Sequence, residues 1–466
     1  MPSTPPPPRR PSRPSSAPPP NQRSSSRPSG AALDPYGIYG ARTATRLRDS
    51  RRRRRSQSSF VVFIVLALVV AAVAALKTRR IYTESASARS ELAMPVLAPP
   101  LWVSTNSSGA GVLLIAGEDG RLLKIDESIA PNASPIETGK TVLLETDFPL
   151  RAPLVVGESA FVPCEDGVLY AVSWRQRKLL WRQRFDAALT AKPALITINK
   201  TPVIVAGSDS GLLMALDAAS GKTVWKVRLP APIGNSLVAV APESAAGRAR
   251  VLVPLLGGVA MRGGLWSLDG ATGKTLWRFP KDARVEATQV AAPVVDEARE
   301  KIYAGNDVGA IFSLDLKTGS YASSGAPGWK AFAAPLKNHD ASQATLLRAA
   351  PLLTGNASTP SNPPGVVVGG NDGGVRCFDA ATGALRWQAE VDAAVSGLHL
   401  LQMTDGGEAI LVCSRSSQLL LLNAANGAII QQFSSGGEEF AGVTLSPRDI
   451  IAVTQSGAVL RFALSK

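Results

Sequence analysis

Three stretches align without a gap: LDAASGKTVW (Leu216–Trp225), LDGATGKTLW (Leu268–Trp277) and FDAATGALRW (Phe378–Trp387). In each, an Asp is followed by a Gly four residues later and a Trp four residues after that. Asp315 with Gly319, Asn423 with Gly427, and Trp181 after LYAVSWRQRKLL keep parts of the same frame. Each copy follows an apolar run, a short polar turn and a second apolar run, as in PVIVAGSDSGLLMALD (Pro202–Asp217). Short apolar runs bounded by Gly, Asp and Ser read as buried strands. The Asp-x-x-x-Gly element reads as a hairpin, its Asp bonding back to the turn and its Gly taking a positive φ.

Working outward from these copies, the turns centre on Gly120, Gly167, Gly211, Gly264, Gly309, Gly374, Ser417 and Gly457, which makes eight units 40 to 65 residues apart. That period, with several short strands per unit, predicts an all-β fold, an eight-bladed β-propeller of four-stranded antiparallel blades over residues 99–466. One blade cannot bury both faces, so its neighbours must supply the core. A Trp on the outer strand is placed to pack against the next blade. Residues that recur from unit to unit therefore build the ring rather than perform chemistry. The chain stops just after AVLRFAL, the third strand of the eighth unit, so the fourth is expected from within Ser85–Leu97. Asp119, Asp166, Asp209, Asp307 and Asp372 are expected to cap turns rather than converge on a metal.

Charge divides the chain. Residues 1–59 hold thirteen Arg, no Lys and two Asp, a net +11 out of +14, whereas everything after residue 97 nets only +1. The tail is rich in Pro, Ser and Arg and has no run able to form a core, so it is expected to be disordered. After Arg51–Arg55 comes FVVFIVLALVVAAVAAL (Phe60–Leu76), seventeen apolar residues, enough for a short transmembrane helix. A cleaved secretory signal is the competing reading, with a small-residue stretch at Ser85–Ala88, but its leading region would be unusually long. The basic excess before the helix orients the tail to the cytoplasm and the ring to the periplasm or exterior, at the inner (cytoplasmic) membrane. Residues 77–98 form the linker with the ring-closing strand.

A near-neutral body argues against nucleic-acid binding. Cys164, Cys377 and Cys413 form no C-x-x-C pair, and His339 and His399 are the only histidines, so neither a disulfide framework nor a His-based metal site is expected.

The frame resembles the repeat of the pyrroloquinoline-quinone (PQQ) propeller superfamily over about Pro99–Lys466. The resemblance implies one of two functions: a quinoprotein dehydrogenase with PQQ and calcium in the central channel, or a non-enzymatic protein-binding scaffold of the BamB type. The enzyme branch implies an adjacent Cys-Cys pair that these three cysteines cannot form, and no C-x-x-C-H haem motif is present. The scaffold branch is closer in character, although BamB-type proteins carry a lipidated N-terminal Cys and this chain has none before Cys164.

The expectation is thus a non-catalytic, membrane-anchored scaffold that docks envelope or membrane proteins, with no cofactor, metal, nucleic acid or small-molecule substrate. A PQQ-dependent oxidoreductase and a ligand-binding receptor are the alternatives. The excursion SYASSGAPGWKAFAAPLKNHDASQATLL (Ser320–Leu347) lies outside the frame. Its Trp329, Lys330, Phe332 and His339 are the candidate partner-binding residues.

Overall fold

The computed structural model describes residues 86–105, 110–126, 139–242, 248–257, 263–281, 291–323, 326–334, 336, 345–355, 363–403, 406–447 and 449–463. The expected tail (1–59), membrane helix (60–76) and His339 lie outside these residues. Among the described residues no helix is long and apolar enough to cross a membrane.

Eight four-stranded antiparallel sheets follow one another along the chain. The innermost strands of blades 1 to 8 are Leu101–Ser104, Leu154–Val156, Ala194–Ile198, Val238–Val240, Val294–Asp296, Leu352–Thr354, Val395–Gln402 and Phe440–Leu445. The outermost strands of blades 1 to 7 are Lys140–Glu145, Lys178–Arg184, Thr223–Arg228, Thr275–Phe279, Trp329–Phe332, Leu385–Glu390 and Ile429–Ser434. Middle strands such as Gly111–Ala116 and Val168–Ser173 are buried throughout, because both of their faces meet neighbouring blades. Outer strands alternate, as Lys178–Arg184 does, because one of their faces meets water.

Blade 8 takes its outermost strand from the other end of the domain. Ala88–Glu91 pairs antiparallel with Ala458–Ala463, in the register Ala88↔Arg461 to Glu91↔Ala458. Arg89 clamps it further, pairing with Glu91 and with Glu438, while its Nη1 donates to the Ser435 carbonyl at 3.0 Å.

The frame Trp and Gly meet between blades. The rings of Trp181, Trp225, Trp277, Trp329 and Trp387 lie over Gly221, Gly273, Gly319, Gly383 and Gly427 of the following blade, each with φ between 65° and 71° or, at Gly383, 75°. A Cβ at Gly383 would stand 2.6 Å from the Trp329 ring. Each indole Nε1 also donates to a carbonyl of that next turn: Ala218, Gly270, Leu316, Ala380 and Ala424, at 2.8–3.1 Å. Blade 2 carries Arg177 at the glycine place with φ 55°, which is tolerable because the outer strand of blade 1 has no Trp to lay over it.

Two expectations are corrected. Trp329 is a frame residue: the Gly319–Trp329 spacing is stretched by a small ribbon, Ala322–Ser323 paired with Ala326–Pro327, and the ring still docks as its counterparts do. Of the five aspartates, Asp119, Asp166 and Asp372 accept from the backbone N–H two residues on, but Asp209 and Asp307 sit one position earlier. Asp209 instead accepts from Thr190 at 2.6 Å, and Asn306 caps the turn in blade 5.

Two predictions follow from this geometry. Trp329→Ala should cost about 3–5 kcal/mol in chemical denaturation, and Gly383→Ala, which both overpacks the ring and forces Ala to positive φ, about 1–3 kcal/mol. The Glu438 carboxyl is lowered to about 2 by Ser456, Thr454 and Arg89 hydrogen bonds. A depressed carboxylate stabilises the fold above its ordinary range and loses that contribution as pH falls towards about 2. The protection of the Ala88–Glu91 amides against hydrogen exchange, after correction for the intrinsic pH dependence of exchange, should therefore fall on acidification in the wild type, and Glu438→Gln should flatten that dependence.

Candidate functional site

Where the chain passes from one blade to the next, the connection is stitched to the turn between the second and third strands. Glu118, Glu165, Asp209, Asn371, Arg415 and Gln455 each donate a backbone N–H to a carbonyl of the preceding connection, at 2.8–3.1 Å. On this face the inner strands begin, and their starts surround a cavity of about 780 Å³ to which all eight blades contribute. It is the mouth of the central channel.

The mouth is cationic. Arg151, Lys192, Arg348 and Arg415 line it together with His399, and its lining contains no Asp or Glu. Arg151 is ion-paired with Glu165, its Nε buried without a partner. Burial lowers the Lys192 pKa, and it makes no ion pair among the described residues. Arg348 and Arg415 are exposed. Burial also lowers the His399 pKa, favouring the neutral imidazole, and raises that of the Cys413 thiol, which disfavours the nucleophilic thiolate.

Such a mouth can attract anions. The acidic groups of a PQQ molecule would suit its cations, but the calcium that quinoprotein chemistry requires would not: that ion takes six to eight oxygen ligands, carboxylates prominent among them. None lines the mouth, and no cluster of three potential metal ligands occurs among the described residues. Asp372 is already bound by Arg376, a fully buried guanidinium, and by Thr345. The residues present do not fit the group.

The candidate residues of the excursion separate. Trp329 faces blade 6 and is buried. Lys330 and Phe332 lie on the outer wall, the Lys330 Nζ 4.6 Å from the Phe332 ring centroid and 5.7 Å from that of Phe312. Phe332 is 59% exposed. The mouth cations escaped sequence reasoning because they lie in connections, or for Arg415 in a turn, rather than in the frame. A signal existed: Pro153, Pro193, Pro293 and Pro351 each stand just before an inner strand, a place proline tolerates, and Arg151, Lys192 and Arg348 lie one to three residues upstream of theirs.

Similarity to known proteins accords with this geometry. A polyvinylalcohol dehydrogenase of Sphingopyxis sp. is 24% identical over 207 residues, 36% of this chain and 32% of that protein, so the chain matches about a third of its relative's length. Sqt1 of Saccharomyces cerevisiae superposes with a TM-score of 0.60 at 10% identity, over 83% of this chain and 100% of that one. BamB from Moraxella catarrhalis gives 0.43 at 18% identity, over 67% and 96%. These structural likenesses speak to fold alone. The model of the family described as outer membrane protein assembly factor BamB matches residues 165–356 and 371–465, and the chain belongs to that family.

Proposed function

We propose that the chain is a non-catalytic scaffold of the cell envelope, a propeller that docks envelope or membrane proteins. In this reading Phe60–Leu76 holds it in the cytoplasmic membrane, with the arginine-rich tail in the cytoplasm and the ring in the periplasm or exterior. One observation carries the scaffold reading over catalysis: among the described residues the channel mouth is lined by cations, with no carboxylate to bind calcium or act as base. The frame residues support it, since Asp, Gly and Trp are consumed by turns and inter-blade docking. The family's description as an assembly factor points the same way.

A quinoprotein oxidoreductase is the second reading. The cationic mouth, which suits a polyanionic quinone, and the similarity to a dehydrogenase favour it.

Absorption spectra of the purified full-length protein, with and without added PQQ and calcium, distinguish the two. The scaffold reading expects no bound-quinone band and no dye-linked alcohol oxidation, and either signal would overturn it. Crosslinking in intact cells should recover envelope proteins with the chain; recovery of the chain alone, under conditions that trap known envelope complexes, would count against docking.

A further inference from the structure

One rung of the outer strand carries a cation in four consecutive blades. Arg182, Lys226, Arg278 and Lys330 each directly follow the docking Trp, and each pairs across the ladder with Tyr170, Met214, Trp266 and Phe312 respectively. In blades 6 and 7 the same rung holds Gln388 and Gln432, and in blade 8 it holds Arg89, whose charge is met by Glu91 and Glu438. Two residues further on, Arg184 and Arg228 of blades 2 and 3 contrast with Glu390 of blade 6 and with Glu91 of blade 8, which shares their rung. Because residues 98–466 net only +1, this is charge gathered on one arc and not a generally basic body.

Three of these cations are unpaired by acids among the described residues. Arg182, Lys226 and Arg278 are exposed and make no ion pair among the described residues. Lys330 lies over the Phe312 and Phe332 rings. Apolar side chains stand between them: Leu180, Val224 and Leu276 are 38%, 47% and 42% exposed, and Phe332 more so. Between the outer strands of blades 2 and 3 runs an open cleft of about 970 Å³, lined by Phe185, Met214, Val224 and Lys226 and by Asp186, whose carboxylate is ion-paired with Arg228.

Shape and edge decide the occupant. Four of eight blades present a convex wall, which a flat membrane could touch over only one or two blades but which an extended chain can follow. Register shifts beside Ala171, Ala215 and Ser267 leave Leu180, Val224 and Leu276 as bulges, which blunt these edges against added strands. A bound segment would cross the strands rather than extend the sheets. Resting on the docking reading above, we infer that the outer wall of blades 2–5 binds an extended acidic segment of a partner protein. Its carboxylates meet Arg182, Lys226, Arg278 and Lys330 in turn, and its apolar side chains enter the clefts between them.

The test uses full-length protein in phosphatidylcholine nanodiscs and a fluorescein-labelled peptide of repeated Glu-Glu-Leu-Gly-Ser, read by anisotropy. The combined R182Q/K226Q/R278Q/K330Q variant should bind the peptide about 30-fold more weakly than wild type, as four exposed charge pairs lost together would predict. An R177Q/K200Q variant, at two exposed turn residues away from this arc, should stay within about twofold of wild type. Equal binding by wild type and the rim variant, an equal loss in the turn variant, or no binding by wild type would each overturn the inference. So would loss in the rim variant of sedimentation with phosphatidylglycerol vesicles while peptide binding stays unchanged, which would make the arc a lipid surface. Peptide indifference with crosslinked envelope proteins still recovered would remove the arc and leave the scaffold reading standing. Quinone-dependent oxidation would remove the scaffold reading without altering the peptide result.

Discussion

The ring rests on a single contact repeated five times: an indole of one blade lying on the positive-φ glycine of the next, its Nε1 bonded to the same turn. A blade is two exposed apolar faces until a neighbour covers them, so whatever sets blade against blade sets the core. The contact is demanding on both sides. The glycine must lack a Cβ and adopt a conformation other residues resist, and the Trp must find a carbonyl for its N–H or leave a polar group unsatisfied. Between blades 1 and 2, where the Trp is missing, the glycine is missing too, and where the ring closes, a strand from before the first blade completes the last sheet.

This coupling explains why so much of the fold was legible in the sequence. Asp, Gly and Trp recur at fixed spacing because a turn and a dock need them there, and a last unit of only three strands placed its fourth upstream, where Ala88–Glu91 supplies it. Legibility failed where spacing was stretched. With Trp329 ten positions after Gly319 instead of four, Trp329 read as a loop anchor, and only the ribbon in between reveals that it does the same work as Trp277 and Trp387. The aspartates failed more subtly: Asp209 and Asp307 share a residue type with Asp119 but stand one place off in the turn, and so bond differently.

The functional surfaces were harder to read for a related reason. A charge acquires meaning only when its blade, rung and face are known. Arg182, Lys226, Arg278 and Lys330 are separated by 44 and then 52 residues of chain, and nothing local marks them as a group until the ladders align them. The mouth cations, three from inter-blade connections and Arg415 from a turn within blade 7, gather only when the ring closes. Of the excursion's residues, Lys330 and Phe332 kept an outward place and join the basic arc, while Trp329 turned inward.

Architecture and chemistry thus occupy different residues. The frame builds the disc, the described residues of the mouth offer cations without a carboxylate, and the outer wall offers charge and apolar surface together. Site-specific photo-crosslinking in living cells tests this division most directly, with the probe placed at Arg278 on the outer wall or at Arg348 at the mouth of the full-length chain. Discrete protein adducts from Arg278, and markedly fewer from Arg348, are the result the account predicts. Protein adducts at neither position, together with a quinone retained at the mouth, would contradict it.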